Sequence, residues 1–305
     1  MTFHSSARSA IARVALAATF AAGGVGIVAQ GAAAVVAPAT DTPMILQEVP
    51  TGDLLANTNG ICTAGATLVI KNAQGAFNRV AYAAAATACG LHVIWAFPDT
   101  VNYATGRIYA AKIPALVNQV KDLPATWGYM SVKEPNWSHV SASEIRALYH
   151  AFKTSDPAHP VMALFGDIPH FGSRTNPYTA GMADVVMVDW YPIETTNGRN
   201  SHYLTGASKW FPKVRAFVAK KTPGVPLYLM IQTQKNLRPA THKKQLPTQS
   251  QLSREIRDGF TYLHATGIAF HTWRNVNYTK DQLRSPATVT SMKTIMAQVA
   301  GGTFH

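Results

Sequence analysis

The chain is poor in cysteine, in acid and in the short signatures that hold phosphates or metals. Only two cysteines, Cys62 and Cys89, occur in 305 residues. With no histidine at ligand spacing they do not make a zinc site. In an exported chain they read as one disulfide, the alternative being two buried thiols. No Gly-rich phosphate turn opens a βαβ unit, which counts against an open doubly wound sheet. No Gly-x-Ser-x-Gly elbow or triad-like arrangement is present, so a hydrolase of esters or amides is a weak reading. No cofactor is implied, and no spacing of Asp residues demands a metal. Internal repeats and long low-complexity linkers are absent as well. Acids are scarce: 15 Asp and Glu stand against 27 Lys and Arg, a formal charge of +12.

One long apolar run breaks the pattern, and it lies at the N-terminus. Arg8 and Arg13 form a positive region, residues 14 to 36 are almost wholly Ala, Val, Gly, Ile and Leu, and Val36-Ala37-Pro38-Ala39 ends in small residues. This is the pattern of a secretory signal over residues 1–39, the alternative being a retained anchor. No later stretch has the length to cross a bilayer. Residues 40 to 305 then form a single domain, enough for one barrel of typical size, about 250 residues. Removing two arginines and no acid leaves +10. Such a charge favours acidic partners, among them anionic glycans and cell-wall polymers. Lys220-Lys221 and His242-Lys243-Lys244 are short runs without an aromatic-interleaved stripe, so nucleic acid is not the expected partner.

Strand-like and helix-like segments alternate after the signal. The predicted strands are Met44 to Glu48, Ala66 to Lys71, Leu91 to Phe97, Thr126 to Val132, Val161 to Phe165, Asp184 to Asp189, Leu227 to Gln232 and Ile268 to Trp273. Most are continuous apolar runs, as in strands covered on both faces. Between them fall helical segments at Phe77 to Ala88, Ile108 to Lys121, Ala207 to Lys220, Gln249 to Ala265 and Ala287 to Val299. Another opens at the capping box Ser141-Ala142-Ser143-Glu144. Residues 50 to 65 hold only a short, poor helix. Eight strands alternating with helices predict an α/β fold, a (β/α)8 TIM barrel.

In that architecture the C-terminal strand ends form the functional face. The predicted ends gather polar and aromatic residues. Strand four stops at Lys133-Glu134-Pro135-Asn136-Trp137, strand six at Asp189-Trp190-Tyr191, strand seven at Gln232-Thr233-Gln234. Strand three holds Trp95 and ends near Asp99, strand five ends at Gly166-Asp167, and strand eight carries His271 and Trp273. A strand interior does not easily hold a lone acid, because an unpaired buried carboxylate is costly; a strand end can aim one at a ligand. Aromatic faces stack on sugars, and carboxylates and amides take hydroxyls. Glycoside cleavage usually needs a proton donor and a second carboxylate. Glu134 is the expected donor, with burial raising its affinity for the proton. Asp189 is the expected partner, with Asp167 and Asp99 behind it. Trp95, Trp137, Trp190, Tyr191 and Trp273 are expected to line subsites, and Gln232, Gln234, Asn136, Lys133 and His271 to contact substrate. The structural alternatives are a core histidine for His271, a turn residue for Asp167 and a simple turn at Asp156-Pro157.

Lys133-Glu134-Pro135 and Trp273 together resemble the clan A type of (β/α)8 glycoside hydrolase, in which the acid/base Glu ends strand four in an Asn-Glu-Pro-like motif and a Trp commonly ends strand eight. The resemblance implies a secreted glycosidase acting on an extracellular polysaccharide or cell-wall glycan. It breaks at strand seven, where the clan carries a nucleophilic Glu and this chain has Gln232. Three accounts remain: Asp189 supplies the second carboxylate, an N-acetyl group of the substrate does so with Gln232 orienting it, or the barrel binds glycan without cleaving it. Lys133 in place of the clan's Asn fits an acidic sugar.

Overall fold

A computed structural model describes residues 42–47, 49–196, 199–202, 206–233, 242–244, 246–271, 286–302 and 304. The predicted signal, Gln234 and Trp273 lie outside them. Eleven strands occur among the described residues: β1 (Met44–Gln47), β2 (Leu68–Asn72), β3 (His92–Ala96), β4 (Thr126–Lys133), β5 (Val161–Phe165), β6 (Val185–Trp190), β7 (Ile193–Thr196), β8 (Arg199–His202), β9 (Leu227–Gln232), β10 (His242–Lys244) and β11 (Gly267–His271). Eight helices accompany them: α1 (Thr51–Leu55), α2 (Arg79–Ala88), α3 (Ile113–Val117), α4 (Pro135–Ser138), α5 (Ala142–Ser155), α6 (Ala207–Lys221), α7 (Gln249–Asp258) and α8 (Pro286–Ala300).

The eight predicted strands close a parallel barrel in the ring order β1-β2-β3-β4-β5-β6-β9-β11. The fold is therefore a (β/α)8 barrel. The remaining strands were not expected from the sequence. β7 and β8 form an antiparallel hairpin, and β10 pairs antiparallel with β7. This small sheet is inserted after β6 and after β9, at the C-terminal ends of barrel strands. Apart from Ile193 its residues are polar and carry no period-2 apolar face, so no strand signal is legible there.

Two apolar layers hold the barrel, and strand alternation assigns each residue to one. The lumen is filled by Ile45, Leu68, Ile70, Ile94, Met130, Met162, Leu164, Met187, Met230 and Ala269. The layer between sheet and helices takes the alternate residues, among them Leu46, Val69, Val93, Trp95, Tyr129, Phe165, Val188, Ile231 and Phe270. A bulge between Met130 and Val132 shifts the register of β4, so Val132 lies in the outer layer and Lys133 pairs with lumen residue Leu164.

The helices start where their caps say. Ser141 and Glu144 close the expected capping box of α5, and Thr248 with Gln251 forms a second one at α7. Asn78 accepts from the Ala81 amide at the start of α2. The helix expected from Ile108 shrinks to Ile113–Val117, because Pro114 is tolerated only in a first turn. Cys62 and Cys89 form a disulfide that ties the 3-10 turn Thr58–Thr63 to the end of α2. No helix among the described residues is long and apolar enough to cross a membrane. Asp156 is more than a turn residue: it is buried and takes hydrogen bonds from Tyr129 Oη at 2.5 Å and from the Ala158 amide at 3.0 Å, with His159 Nδ1 2.7 Å away. Desolvation raises its proton affinity, but these bonds outweigh it and the carboxyl sits below its ordinary value.

Candidate functional site

The mouth of the barrel is built by continuing the lumen alternation one residue past the apolar filling. Gln47 follows Ile45, Asn72 follows Ile70, Lys133 follows the β4 bulge, Asp189 follows Met187, Gln232 follows Met230, and His271 follows Ala269. Polar side chains thus cap the apolar lumen at the end that an α/β barrel uses for chemistry. Gln47 and Asn72 were not singled out in the sequence, because the signal is parity and the strands are apolar on both faces.

Glu134 leaves β4 by an unusual route. Its amide still donates to the Leu164 carbonyl at 2.7 Å, as a ladder residue would. Pro135 then bars the right-handed helical region, and Glu134 takes φ 48° and ψ 68°. Asp167, one residue past the Gly166 that follows β5, also takes a left-handed backbone, at φ 49°. Left-handed backbone at non-glycine residues costs on the order of 1–3 kcal/mol and concentrates at functional sites. Here it turns two consecutive strand ends the same way.

Gly166 sits between the two carboxylates. A Cβ placed on it would lie 3.1 Å from Glu134 Oε1 and 3.1 Å from Asp189 Oδ1. The two oxygens are therefore at most 6.2 Å apart, twice that distance. Glu134 is partly exposed and Asp189 buried, so the pair opens from the lumen wall toward the mouth. The floor beneath them is fixed by Asn176, a fully buried residue of the β5–β6 connection. Its Nδ2 donates to the Gly166 carbonyl at 2.5 Å and to the Asp167 carbonyl at 3.3 Å. Nothing in the sequence distinguishes Asn176 from an ordinary loop asparagine.

Aromatic groups stand beside the acid. Trp137 on α4 is 73% exposed, and its amide donates to the Glu134 carbonyl at 3.0 Å. Asn136 precedes it, with a buried Oδ1 that has no hydrogen-bond partner among the described residues. Tyr103, missed from the sequence, is carried on a tight turn after β3 that Asn102 closes through the amides of Ala104 and Gly106. Burial, and secondarily the Glu134 charge, pushes its phenol up to about 12.

On the other side of the mouth His271 is buried, and its Nδ1 has no hydrogen-bond partner among the described residues. Its ring lies 5.2 Å from that of Tyr191, whose hydroxyl donates to Met230 Sδ at 3.1 Å. Desolvation, helped by the Lys133 charge, holds this imidazole well below its ordinary value, so it stays neutral.

Several expected contacts lie elsewhere. Trp95 has odd parity on β3 and points out of the barrel. It is fully buried against Phe77 and Tyr82, and its Nε1 donates to Thr126 Oγ1 at 2.9 Å. Trp190 also points outward, edge-on to Phe211 at 5.6 Å and against Gly206. Both are packing residues, not subsite walls. Gln232 reaches the mouth but is fully buried, its amide clamped on Ile193: Nε2 donates to the carbonyl at 2.8 Å and Oε1 accepts from the amide at 3.0 Å. Asp167 faces His170 at 2.9 Å, and Asp99 is exposed on the 3-10 turn Pro98–Thr100. The site therefore brings together Glu134, Asp189, Lys133, Tyr191 and His271, flanked by Trp137 and Asn136. No group of three or more His, Cys, Asp or Glu among the described residues forms a metal-binding cluster.

No protein-family model matches the sequence, and no curated protein matches it. The similarity lies in the fold. An FMN-binding beta-glucuronidase from Facaelibacterium prausnitzii L2-6 superposes with a TM-score of 0.58 at 12% identity, over 85% of this chain and 44% of that one. A beta-galactosidase from the psychrophilic Marinomonas ef1 gives 0.56 at 9% identity, over 84% and 59%. A GH30 endoxylanase from Clostridium papyrosolvens C71 gives 0.55 at 14% identity, over 86% and 72%. The chain thus spans about half the length of the first two. At these identities the likeness is one of architecture: the fold is a (β/α)8 barrel.

Proposed function

We propose that the chain is an exported glycosidase that cleaves an extracellular polysaccharide with Glu134 and Asp189. The observation that carries this reading is the convergence of the two carboxylates on Gly166. Their bound of 6.2 Å between one oxygen of each admits the roughly 5–5.5 Å between the carboxyl groups of a retaining pair, and the retaining course is the one proposed. Glu134 protonates the departing glycosidic oxygen. Asp189 attacks the anomeric carbon and forms a glycosyl ester. Water then hydrolyses the ester, Glu134 taking its proton. Trp137 and Tyr191 offer aromatic faces to the sugars, and Lys133 and the neutral His271 offer polar contacts, an ammonium among them that suits an acidic sugar. The N-terminal apolar run and the disulfide support export.

The committed amide of Gln232 favours a second reading, a barrel that binds cell-wall glycan without cleaving it. With both amide atoms clamped on Ile193, Gln232 neither replaces the strand-seven nucleophile nor is free to orient an acetamido group.

Reducing-end release from a panel of glucans, mannans, galactans, uronans, chitin and peptidoglycan separates the two. Release by the wild type that falls by orders of magnitude in Glu134→Gln supports the glycosidase. Retention of one polymer by both proteins without release supports the binding barrel. Equal release by both proteins overturns the role of Glu134.

A further inference from the structure

We propose a second, non-catalytic surface on the outer wall of the barrel, formed by α6 and α7, that docks a linear anionic polysaccharide. α6 carries Lys209, Lys213, Arg215, Lys220 and Lys221 in fifteen residues and no acid. α7 adds Arg254 and Arg257. The two acids of α7 do not balance them: Glu255 is buried, and Asp258 is engaged by Arg254 at 3.8 Å. The middle of α6 and the segment that follows α7 meet where Arg215 hydrogen-bonds His264. Lys209, Lys213, Lys220 and Lys221 are exposed, and none forms an ion pair with a described carboxylate. A large part of the excess charge of the chain is therefore concentrated on one flank, and Lys209 to Lys221 spans about 18 Å at the rise of an α-helix.

The chemistry of the flank selects its occupant. Lys209 and Lys213 hold their ammonium groups over Trp210 at 4.6 and 4.5 Å, and Lys221 lies over Phe217 at 5.8 Å. The aromatic faces that would stack nucleobases are thus covered by cations. α6 buries Phe211, Val214 and Val218 against the barrel, so its apolar face is not available to enter a bilayer as an interfacial helix requires. What remains is a row of positive charge on a rigid helix, complementary to a polymer bearing one carboxylate per sugar. This surface stands apart from the mouth and does not depend on the glycosidase reading. If that reading holds, docking raises the local concentration of substrate strands.

The test is binding of the full-length purified protein to polygalacturonate across a salt series. Lys209→Gln/Lys213→Gln/Lys220→Gln/Lys221→Gln is compared with the same four positions changed to Arg and with a charge-matched control, Arg107→Gln/Lys112→Gln/Lys121→Gln/Arg146→Gln. The wild type binds, and its affinity falls steadily with salt, as for counterion release from a polyanion. The α6 Gln variant loses at least about tenfold at low salt, because several exposed charge contacts vanish together. The Arg variant and the control stay within about threefold of the wild type, as expected if position on the flank decides. Equal loss in both Gln variants assigns the effect to net charge and overturns the proposal. So does an absence of binding, or tighter binding to phosphatidylglycerol vesicles or to single-stranded poly(dT).

Discussion

Acidification should destabilise this barrel through one residue. His271 is buried at the end of β11 with no hydrogen bond to Nδ1 from any described residue, and burial with the Lys133 charge holds it neutral. In the unfolded chain the same imidazole titrates near its ordinary value of about 6.5. Below that pH the unfolded state binds a proton that the folded state refuses. Stability from this group is therefore present above about pH 6.5 and declines as pH falls, until the folded imidazole itself titrates. The slope is up to about 1.4 kcal/mol per pH unit, which amounts to about 2 kcal/mol between pH 6.5 and 5.0 while the folded group stays neutral. For a domain of this size that corresponds to a melting-temperature loss of about 4–8 °C. The assay is thermal unfolding at pH 7.5 and 5.0, wild type against His271→Asn, at fixed salt. The other histidines are common to both proteins and cancel in the difference. The variant should lose about 4–8 °C less on acidification than the wild type. An identical loss in both would mean that His271 protonates freely in the folded state, and the account of a dry, unpartnered imidazole would fail.

Gly166→Ala is allowed by the backbone but puts a methyl 3.1 Å from Glu134 Oε1 and Asp189 Oδ1; turnover should drop by about 10–100-fold with little change in melting temperature, as small displacements of reacting groups cost this much. Asn176→Ala strips the donors from the buried Gly166 carbonyl and from the partly buried Asp167 carbonyl, so denaturant unfolding should show a loss of about 1–3 kcal/mol, with kcat reduced more than KM. Trp95→Ala empties the packed layer against Phe77 and Tyr82 and should cost about 3–5 kcal/mol while glycan affinity of the folded fraction is unchanged; a selective loss of affinity would return Trp95 to the site. Removing Cys62 and Cys89 together opens a loop with sequence separation 27 and should lower unfolding stability by about 3.5 kcal/mol, read as the difference in urea midpoint.

The barrel was legible because its strands are apolar on both faces and its helices carry explicit caps. Those same apolar strands hid the parity of each side chain. Trp95 and Trp190 sit near C-terminal strand ends, as subsite residues would, yet the pleat turns both outward. The β4 bulge at Met130 and Val132 changes the parity of everything after it, and no residue in Tyr129-Met130-Ser131-Val132 announces a bulge. Gln232 was legible as a missing nucleophile but not as a clamp, because Ile193 is 39 residues away. Tyr103 and Asn176 lie on connections whose course depends on tertiary packing. Residues missed in this way share one property: their role is set by a partner distant in sequence.

The position of the second carboxylate follows from the spacing of strands. β4 and β6 flank β5, so with neighbours about 4.8 Å apart their backbones lie roughly 9–10 Å from each other. Side chains at the ends of such strands approach within 6.2 Å only by leaning over the strand between them. Any side chain at that point of β5 would occupy the gap, and glycine alone leaves it open. Gly166 is thus as much a part of the carboxylate pair as Glu134 and Asp189, and the Asn176 amide on its carbonyl keeps the floor from rising into the gap. With the strand-seven amide committed to Ile193, the strand-six acid is the carboxylate that meets Glu134 over Gly166. That arrangement yields a sharp expectation: restoring a carboxylate at strand seven by Gln232→Glu should not improve turnover. It would break the bond that Nε2 donates to the Ile193 carbonyl, set an acceptor oxygen against that carbonyl while Oε1 still accepts from the Ile193 amide, and leave the pair over Gly166 unchanged, so unfolding stability should fall while kcat stays at or below the wild-type value. A gain in kcat would show that strand seven, and not Asp189, holds the better second carboxylate.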